Sequence, residues 1–322
     1  MIYNIDLLTS NKISGWIENS ENQKIIFKVN NKIIGKVSAN QFRKDLKDLK
    51  ISDGYSGFTY YPSLKYRYDE IKIFLESNLK ELKQDKSIRL KYLLKNKNLE
   101  SLSLEIGPLD RPILDSKKKI NMFCDHLMKK DLIKKYKKKN FSHIDYKAII
   151  PTDYLLDEIL IQRRKKFKFV VASHMLEHHP NPLDLLQKLS KIMEKNSILS
   201  LALPSKNYTF DKSRASTSIG NWIEWFHKKQ DKPPYSCIFD SKLINYKTKL
   251  EKNYLEKAYL ETNKIIKKNQ YFDCHVSVFT PDEFVKVISG LNNMKLIDFK
   301  ISNIDNKKYI ELDNEFIIQL NK

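Results

Sequence analysis

Short apolar runs alternate with turn-forming residues in the stretch from Lys12 to Tyr61. Runs of this kind, rich in Ile, Val, Phe and Tyr, are typical of β-strands. Asn30 and Asn31 separate two of the runs and predict a tight hairpin, because Asn tolerates positive φ angles. We therefore predict a small antiparallel β module over residues 1–65. Its predicted strands are ISGWIE, KIIFKVN, KIIGKVS and GFTYY.

The next stretch, from Asp69 to Lys97, contains no Gly or Pro and has apolar residues at helical spacing. Apolar positions three and four residues apart form one face of an amphipathic helix. These positions are Ile71, Phe74, Leu75, Leu79 and Leu82. We predict a helical connector of one or two helices over residues 66–98.

From Leu99 onward, strand-like runs alternate with helix-like segments, which is typical of a parallel sheet with crossover helices. Asn181 and Pro182 mark the start of one such helix. We predict an α/β fold over residues 99–322, with a Rossmann-like, mostly parallel sheet, flanking helices and a helical insertion at about 212–270. The predicted strands are SLSLEIG, INMFCD, KAII, FKFVVAS and ILSLALP.

Two of these strands end in residues that suit cofactor binding. Glu105 and Gly107 end SLSLEIG, and a glycine there lets the backbone approach a bound cofactor. Asp125 ends INMFCD about 20 residues further on, where a carboxylate can accept hydrogen bonds from ribose hydroxyls. A structural turn at Gly107 and a helix cap at Asp125 explain the same residues when each is considered alone.

The formal net charge of +20 raises nucleic acid as a partner, because a cationic surface attracts phosphates. The distribution of the charge argues against this partner. Only seven of the 59 basic residues are Arg, and lysines occur in every segment. The densest patch is Lys129–Lys139, which a solvated helix face explains better than a polyanion site. We therefore do not expect nucleic acid to be the main partner.

No apolar stretch approaches the ~20 residues of a membrane span, and the first residues lack the pattern of a signal peptide. We therefore expect a cytoplasmic protein without a membrane span. The cysteines are Cys124, Cys237 and Cys274 and lack CxxC spacing. We expect reduced thiols rather than disulfides or a zinc ribbon.

Three later motifs carry a family resemblance. They are SHMLEH at 173–178 with prolines at 180 and 182, ALPSKNYTFD ending at Asp211, and HVSVFTPDEF starting at His275. In this order they resemble the class I S-adenosylmethionine-dependent methyltransferases, in particular the bacterial, methyltransferase type 11-like group with an "SHVLEH" motif. The resemblance implies a Rossmann-like fold, S-adenosylmethionine as cofactor and methyl transfer as the activity.

The resemblance also implies a set of cofactor-binding residues. Glu105 and Gly107 would line the methionine part, Asp125 the ribose and Asp153 the adenine. Below the sulfonium would lie Ala172, Ser173 and His174. Pro108 is also one of these residues and stands where most members of the group have a further glycine.

The N-terminal motifs GWIEN, FRKDL and DGYSGF are similar to a small β module attached to bacterial glycosyltransferases and polysaccharide-modifying enzymes. This similarity implies that the methyl acceptor is a sugar hydroxyl of a surface polysaccharide or its precursor, with glycan-assembly enzymes as possible partners. Two alternatives remain open. One is methylation of RNA bound through the basic surface, and the other is a catalytically inactive scaffold in glycan assembly.

A sugar hydroxyl is a weak nucleophile, so methyl transfer to it calls for a base. Histidine suits this role near neutral pH, and the candidates are His275 and His178, with His174 beside the cofactor. A structural role is the alternative for each of them. No metal site is predicted, because HMLEH does not have the HExxH spacing of a zinc-binding helix.

The predicted insertion contains aromatic residues that can stack on a sugar ring. They are Trp222, Trp225 and Tyr235, with Phe239 nearby. An insertion after the fifth strand of this fold can form the acceptor pocket. The alternative is that these side chains bury the insertion against the core.

Overall fold

The computed structural model describes residues 2–8, 12–18, 23–48, 50–62, 71–83, 88–98, 100–138, 144–162, 166–245, 251–312 and 314–322. The chain divides into two compact units. The first comprises Met1–Lys91, Pro108–Met122 and Leu127–Thr152, and the second comprises Tyr92–Gly107, Phe123–His126 and Asp153–Lys322. Within the described ranges, no helix is long and apolar enough to cross a membrane.

The first unit contains two antiparallel sheets of short strands. The strands are β1 (Tyr3–Leu8), β2 (Ile13–Ile17), β3 (Lys24–Val29), β4 (Lys32–Ser38), β5 (Gln41–Phe42), β6 (Tyr55–Tyr60), β7 (Lys72–Leu75) and β8 (Glu81–Leu82), with helix α1 (Lys44–Asp48) between β5 and β6. One sheet has the order β1-β2-β6-β5, and the other has the order β4-β3-β7-β8. Side chains from both sheets share a core that includes Ile13, Phe27 and Phe58. The predicted antiparallel module is confirmed.

Asn30 and Asn31 form the turn between β3 and β4, with φ angles of 48° and 65°. A two-residue turn with positive φ at both central positions matches the right-handed twist of the flanking strands. Asn adopts this conformation at lower cost than most side chains, because it can hydrogen-bond locally. The hairpin predicted from this residue pair is confirmed.

The helix predicted from Asp69 to Lys97 is wrong for much of the part that the structure describes. This stretch contains strands β7 and β8, and its helix is the short α2 (Ile88–Leu93). Residues 69–70 and 84–87 of the predicted helix lie outside the described ranges. The second sheet therefore continues past the boundary predicted at residue 65.

Alternation, not helical spacing, explains the burial of side chains around β7. Ile71, Ile73 and Leu75 are buried, while Lys72 between them is exposed. Leu79 belongs to the turn after β7, where its φ angle is 52° and its side chain is exposed. A short apolar segment can satisfy both periods, and here pairing with β3 decides in favour of the strand.

A third, larger sheet carries the strands from the later part of the chain. They are β9 (Ser103–Ile106), β10 (Asn121–Asp125), β11 (Tyr154–Leu155), β12 (Phe167–Ser173), β13 (Met193–Pro204), β14 (Lys300–Ser302), β15 (Ile310–Leu312) and β16 (Glu315–Asn321). The order is β11-β10-β9-β12-β13-β16-β14, with β15 paired to β16. The pairs β10–β11, β9–β12 and β12–β13 are parallel, and β16 runs antiparallel to β13. The predicted Rossmann-like α/β fold is confirmed.

The order of strands reverses beside β9. The chain first builds outward through β10 to β11, and then returns to the other side of β9 with β12 and β13. Open α/β sheets bind ligands in the crevice outside the carboxyl ends of the strands at such a reversal. The carboxyl ends of β9 and β12 therefore mark the place where a ligand site is expected.

Helices flank this sheet or follow β13. They are α4 (Leu156–Gln162), α5 (Pro182–Ile192), α6 (Ile219–His227), α7 (Tyr235–Asn245), α8 (Lys252–Lys267) and α9 (Pro281–Asn293). Asn181 caps α5 by accepting a hydrogen bond from the Asp184 backbone N–H, and Pro182 occupies its first turn. The predicted start of this helix is confirmed, and the leucines of α5 are buried.

Two further segments of the first unit bear on the sequence predictions. The lysine-rich run forms α3 (Lys129–Lys138), in which Leu132 is the buried residue, while Lys139 lies outside the described ranges. The strand predicted for KAII, residues 147–150, is wrong, because these residues form a turn and irregular chain. Ile150 is buried there and its backbone N–H donates to the Leu109 carbonyl, so an apolar run marked burial rather than a strand.

Candidate active site

Gly107 directly follows β9 and has a φ angle of 71°, a conformation that side chains with a Cβ rarely adopt. Its backbone N–H donates to the Cys124 carbonyl over 2.9 Å, which joins the ends of β9 and β10. A Cβ built on Gly107 would meet no heavy atom within 4 Å. The backbone here thus faces open space that a ligand can enter.

Acidic side chains lie on or beside these strand ends. Glu105 is buried within β9, and Asp125 is buried at the end of β10. One oxygen of Asp125 accepts a hydrogen bond from the His126 backbone N–H over 2.7 Å. The exposed Asp153 accepts from the Phe123 backbone N–H over 2.8 Å, so part of its carboxylate holds β10 in place. Pro108, after Gly107, is buried.

The end of β12 supplies the next group of predicted cofactor residues. Ala172 is buried and Ser173 is half-buried. His174 follows with a φ angle of 49°, and its backbone N–H donates to the Ala202 carbonyl of β13 over 3.0 Å. The backbone therefore turns sharply at His174, directly after the parallel strand.

The His174 ring lies between two buried carboxylates. Its Nε2 is 2.8 Å from Glu315 Oε2, and its Nδ1 is 3.3 Å from Glu177 Oε1. Burial lowers the pKa of His174, but the two carboxylates outweigh this effect and raise the pKa to about 9. At neutral pH the ring is a cation rather than a free base.

His275 forms a dyad with a buried carboxylate. Its Nδ1 lies 2.5 Å from Asp211 Oδ2, and Asp211 is 1% exposed. Arg214 donates from Nη1 to Asp211 Oδ1 and to the His275 backbone carbonyl, each over 2.9 Å. Burial raises the pKa of Asp211, but His275 and Arg214 outweigh this effect and lower it. The ionised Asp211 therefore orients His275.

His178 lies next to His275, and their ring centroids are 4.8 Å apart in an edge-to-face arrangement. The Nδ1 of His178 is 3.0 Å from Asp273 Oδ1, and its Nε2 is 4.0 Å from Glu177 Oε1. Burial lowers the pKa of His178, but the neighbouring carboxylates outweigh this effect and raise it. Both predicted catalytic histidines thus belong to one cluster.

The predicted acceptor residues separate into buried and exposed groups. Trp222 is fully buried, and its Nε1 donates to Ser277 Oγ over 3.1 Å. Trp225 is also buried. The prediction that both indoles stack on a sugar is therefore corrected, because their faces are already covered by protein. Tyr235 is exposed, and its hydroxyl donates to Asn263 Oδ1 over 3.1 Å.

Several residues of this cluster were not predicted from sequence. They are Glu177, Asp211, Arg214, Asp273 and Glu315. Glu177 and Asp211 stood inside the recognised motifs SHMLEH and YTFD, so the motifs themselves contained a signal. The other three lay outside the residues chosen as candidates. Only the fold brings them to the ends of β12 and β13.

No protein-family model and no curated protein matches the chain. Solved structures with a distant likeness include the plantazolicin methyltransferase BpumL in complex with a desmethylPZN analog and SAH, with TM-score 0.36, 12% identity and coverage of 72% of this chain and 80% of that chain. Another is a putative S-adenosylmethionine-dependent methyltransferase from Listeria monocytogenes, with TM-score 0.36 and 12% identity. This match covers 73% of this chain and 96% of that chain. Likeness at this level assigns no family and no activity to the chain.

Proposed function

We propose that the chain is an S-adenosylmethionine-dependent methyltransferase that acts on a sugar hydroxyl of a surface polysaccharide or its precursor. The observation that carries the proposal is the set of residues at the carboxyl ends of the sheet where the strand order reverses. An open glycine turn, buried acidic side chains and a histidine cluster occur together there.

The cofactor would lie against the ends of β9, β10 and β12. Gly107 offers open space beside the backbone, which suits the close approach of a cofactor. Asp125 keeps acceptor capacity for ribose hydroxyls, because a carboxylate has about four lone-pair sites. The remaining proposed contacts are Glu105, Pro108, Asp153, Ala172, Ser173 and His174.

Methyl transfer from the cofactor is an in-line displacement, so the protein must align the acceptor and help to remove its proton. His275 is oriented through Nδ1 by Asp211, which leaves Nε2 as its other ring nitrogen. That nitrogen would accept the proton of the acceptor hydroxyl. His178 borders the same space and would orient the acceptor.

The proposal of a sugar acceptor draws on the first unit. A cleft within it is lined by hydroxyl, amide, carboxylate and cationic groups of Asp6, Lys12, Ser14, Gln41, Arg43, Thr59 and Arg111. Such side chains can hydrogen-bond the hydroxyls of a saccharide. This lining agrees with the similarity of the N-terminal motifs to modules of polysaccharide-modifying enzymes. Tyr235 stays available as an exposed aromatic contact in the second unit.

The first experiment measures S-adenosylhomocysteine binding by calorimetry. We expect wild-type binding and a loss of ~1 to 3 kcal/mol in Asp125→Ala, because a charged hydrogen bond to ribose disappears. Asp231→Ala is the control, since Asp231 is exposed in the chain after α6. Equal affinity of all three proteins would remove Asp125 from the site, and absence of binding would favour an inactive scaffold.

The second experiment tests the acceptor. The protein is incubated with S-adenosylmethionine carrying a labelled methyl group, once with a cell-derived glycan extract and once with RNA. We expect label in the glycan fraction, recovered as a methylated sugar by mass spectrometry after hydrolysis. Label in RNA alone would overturn the sugar acceptor while leaving methyl transfer intact.

A further inference from the structure

Glu177 is a buried carboxylate whose oxygens have only ion-pair contacts in the described part of the chain. Its side chain is 2% exposed, and neither of its oxygens has a hydrogen-bond partner in the described part of the chain. The His174 ring forms an ion pair with Glu177, with Nδ1 3.3 Å from Oε1. A buried charge is costly unless it is paired and hydrogen-bonded, or binds a metal ion. The His174 cation is shared between Glu177 and Glu315, so a further cation would complete the pairing of Glu177.

Two further histidines, His178 and His275, lie beside Glu177. Glu177, His178 and His275 each offer one donor atom, and the three atoms lie within 4.8 Å of one another. The backbone carbonyl of Glu177 accepts hydrogen bonds from the N–H groups of Val276 and Ser277, over 2.6 Å and 3.0 Å. These bonds fix the segment that carries His275 beside Glu177 and His178.

Each imidazole places the same ring nitrogen, Nδ1, near a carboxylate. The Nδ1 of His275 is bonded to Asp211 over 2.5 Å, and the Nδ1 of His178 lies 3.0 Å from Asp273 Oδ1. Histidines that bind metals nearly always direct their other nitrogen to a carboxylate, carbonyl or water, which fixes the tautomer. Nε2 is then the ring nitrogen that each imidazole would offer to an ion near Glu177, and in His178 it lies 4.0 Å from Glu177 Oε1.

We propose that Glu177, His178 and His275 bind a divalent first-row transition-metal ion such as Zn²⁺. Two imidazole nitrogens and one carboxylate are a donor set that such ions accept, with positions left for a substrate oxygen. Ion binding stands independently of methyl transfer, but its role in catalysis rests on the proposed function. A bound ion would lower the pKa of a coordinated acceptor hydroxyl, whose proton would then pass to solvent water instead of to His275.

The test uses the full untagged chain after treatment with a chelator. Zn²⁺ alone is added in competition with a colorimetric zinc indicator, and bound metal is counted by mass spectrometry after gel filtration. We expect one Zn²⁺ per chain. Glu177→Ala, His178→Ala and His275→Ala should each weaken binding at least ~10-fold, and Asp211→Asn, which disturbs the orientation of His275, by about 10- to 100-fold.

The matched control is His227→Ala, because His227 is an exposed histidine on α6 outside the cluster. It should bind Zn²⁺ like the wild type. Circular dichroism checks that each variant is folded. If Glu177→Ala does not fold, Glu177→Gln replaces it, because glutamine keeps the volume of the side chain. Equal zinc affinity in all folded variants would overturn the proposal, as would absence of stoichiometric zinc in the wild type.

Binding of S-adenosylhomocysteine is measured on the same preparations, so that failure of the proposed metal site can be distinguished from failure of the proposed methyltransferase function. Cofactor binding without zinc binding overturns the metal site and leaves methyl transfer standing. Zinc binding that depends on Glu177, His178 and His275 supports the metal site even if the cofactor does not bind.

Discussion

Asp211 and His275 face each other over 2.5 Å between Oδ2 and Nδ1, although they come from separate segments of the chain. Asp211 lies in the turn after β13, and His275 lies between α8 and α9. Arg214 keeps Asp211 in place through its second oxygen. The dyad thus stabilises one tautomer of His275, with the proton on Nδ1 and the lone pair on Nε2.

Asp211→Asn should lower methyl transfer by ~100-fold or more, since an amide can hold the wrong tautomer of a catalytic histidine. Affinity for S-adenosylhomocysteine should stay near that of the wild type, because Asp211 does not lie at the strand ends proposed for the cofactor. Asp240→Asn is the control. Asp240 also approaches Arg214, at 3.6 Å from Nε, but does not contact His275. Single-turnover kinetics measure the effect, and equal rates in both variants would remove the dyad from catalysis.

Gly107→Ala should separate folding from cofactor binding. The added Cβ meets no heavy atom of the protein within 4 Å, so the cost to folding is limited to the positive φ angle, ~1 to 2 kcal/mol. The same Cβ would project into the space proposed for the cofactor. We expect a small fall in the melting temperature and a fall of at least ~10-fold in S-adenosylhomocysteine affinity.

The control for this variant is Gly220→Ala, an exposed glycine at the start of α6 whose Cβ would lie 3.5 Å from Ser218 Oγ. Its cofactor affinity should not change. Wild-type affinity in Gly107→Ala would show that the open space beside the glycine is not the cofactor site.

The fold was predictable where local pattern and pairing agree. Asn30 and Asn31 specify their own hairpin, and Asn181 with Pro182 specifies the start of α5. The segment around Ile71 and Leu75 was not predictable, because its apolar residues fit helical and strand periods alike. Its conformation depends on β3, which lies far away in the sequence.

The site was predictable only in part for a related reason. His275 and His178 stood out as histidines in recognised motifs, but the partners that orient them are acidic residues, which are common throughout the chain. The HExxH spacing describes ligands on a single helix, whereas Glu177 and His178 lie in a 3₁₀ turn and His275 comes from another segment. Spacing along the sequence cannot reveal such a group.

Deleting residues 1–65 should destabilise what remains of the first unit. The cut removes β3, to which β7 pairs, and exposes Ile73 and Leu75. We expect aggregation or binding of a hydrophobic dye, measured by gel filtration and fluorescence. Deleting residues 1–83 removes both sheets together and should give less dye binding. A monomeric 1–65 deletion with the wild-type melting temperature would contradict this expectation.

The start of α9 should respond to acid. Glu283 Oε2 accepts hydrogen bonds from the Thr280 backbone N–H and hydroxyl, over 2.8 Å and 2.9 Å. Burial raises the pKa of Glu283, but these bonds outweigh it and lower the pKa below the ordinary 4.5. The ionised side chain therefore stabilises the fold above pH 4.5, and this contribution is lost as the pH falls through the lowered pKa.

Glu283→Gln should lower the free energy of unfolding at neutral pH by about 0.5 kcal/mol or less after solvent screening, and so lower the melting temperature slightly. The difference from the wild type should shrink in acid, where both side chains are neutral. Glu256→Gln, an exposed change on α8, is the control and should show no such trend. Thermal unfolding, followed by circular dichroism at several pH values, measures the stability difference between the variant and the wild type. A difference that does not vary with pH would contradict the lowered pKa of Glu283.

His275→Ala should separate chemistry from cofactor binding. If Nε2 of His275 activates the acceptor, directly or through a bound ion, turnover should fall ~100-fold or more, while S-adenosylhomocysteine affinity stays nearly constant. His174→Ala should instead change both quantities, because His174 follows β12 and its ring lies between Glu177 and Glu315. His227→Ala, outside the cluster, should change neither. A His275→Ala protein with the wild-type rate would rule out His275 and leave His178 as the candidate that faces the same space.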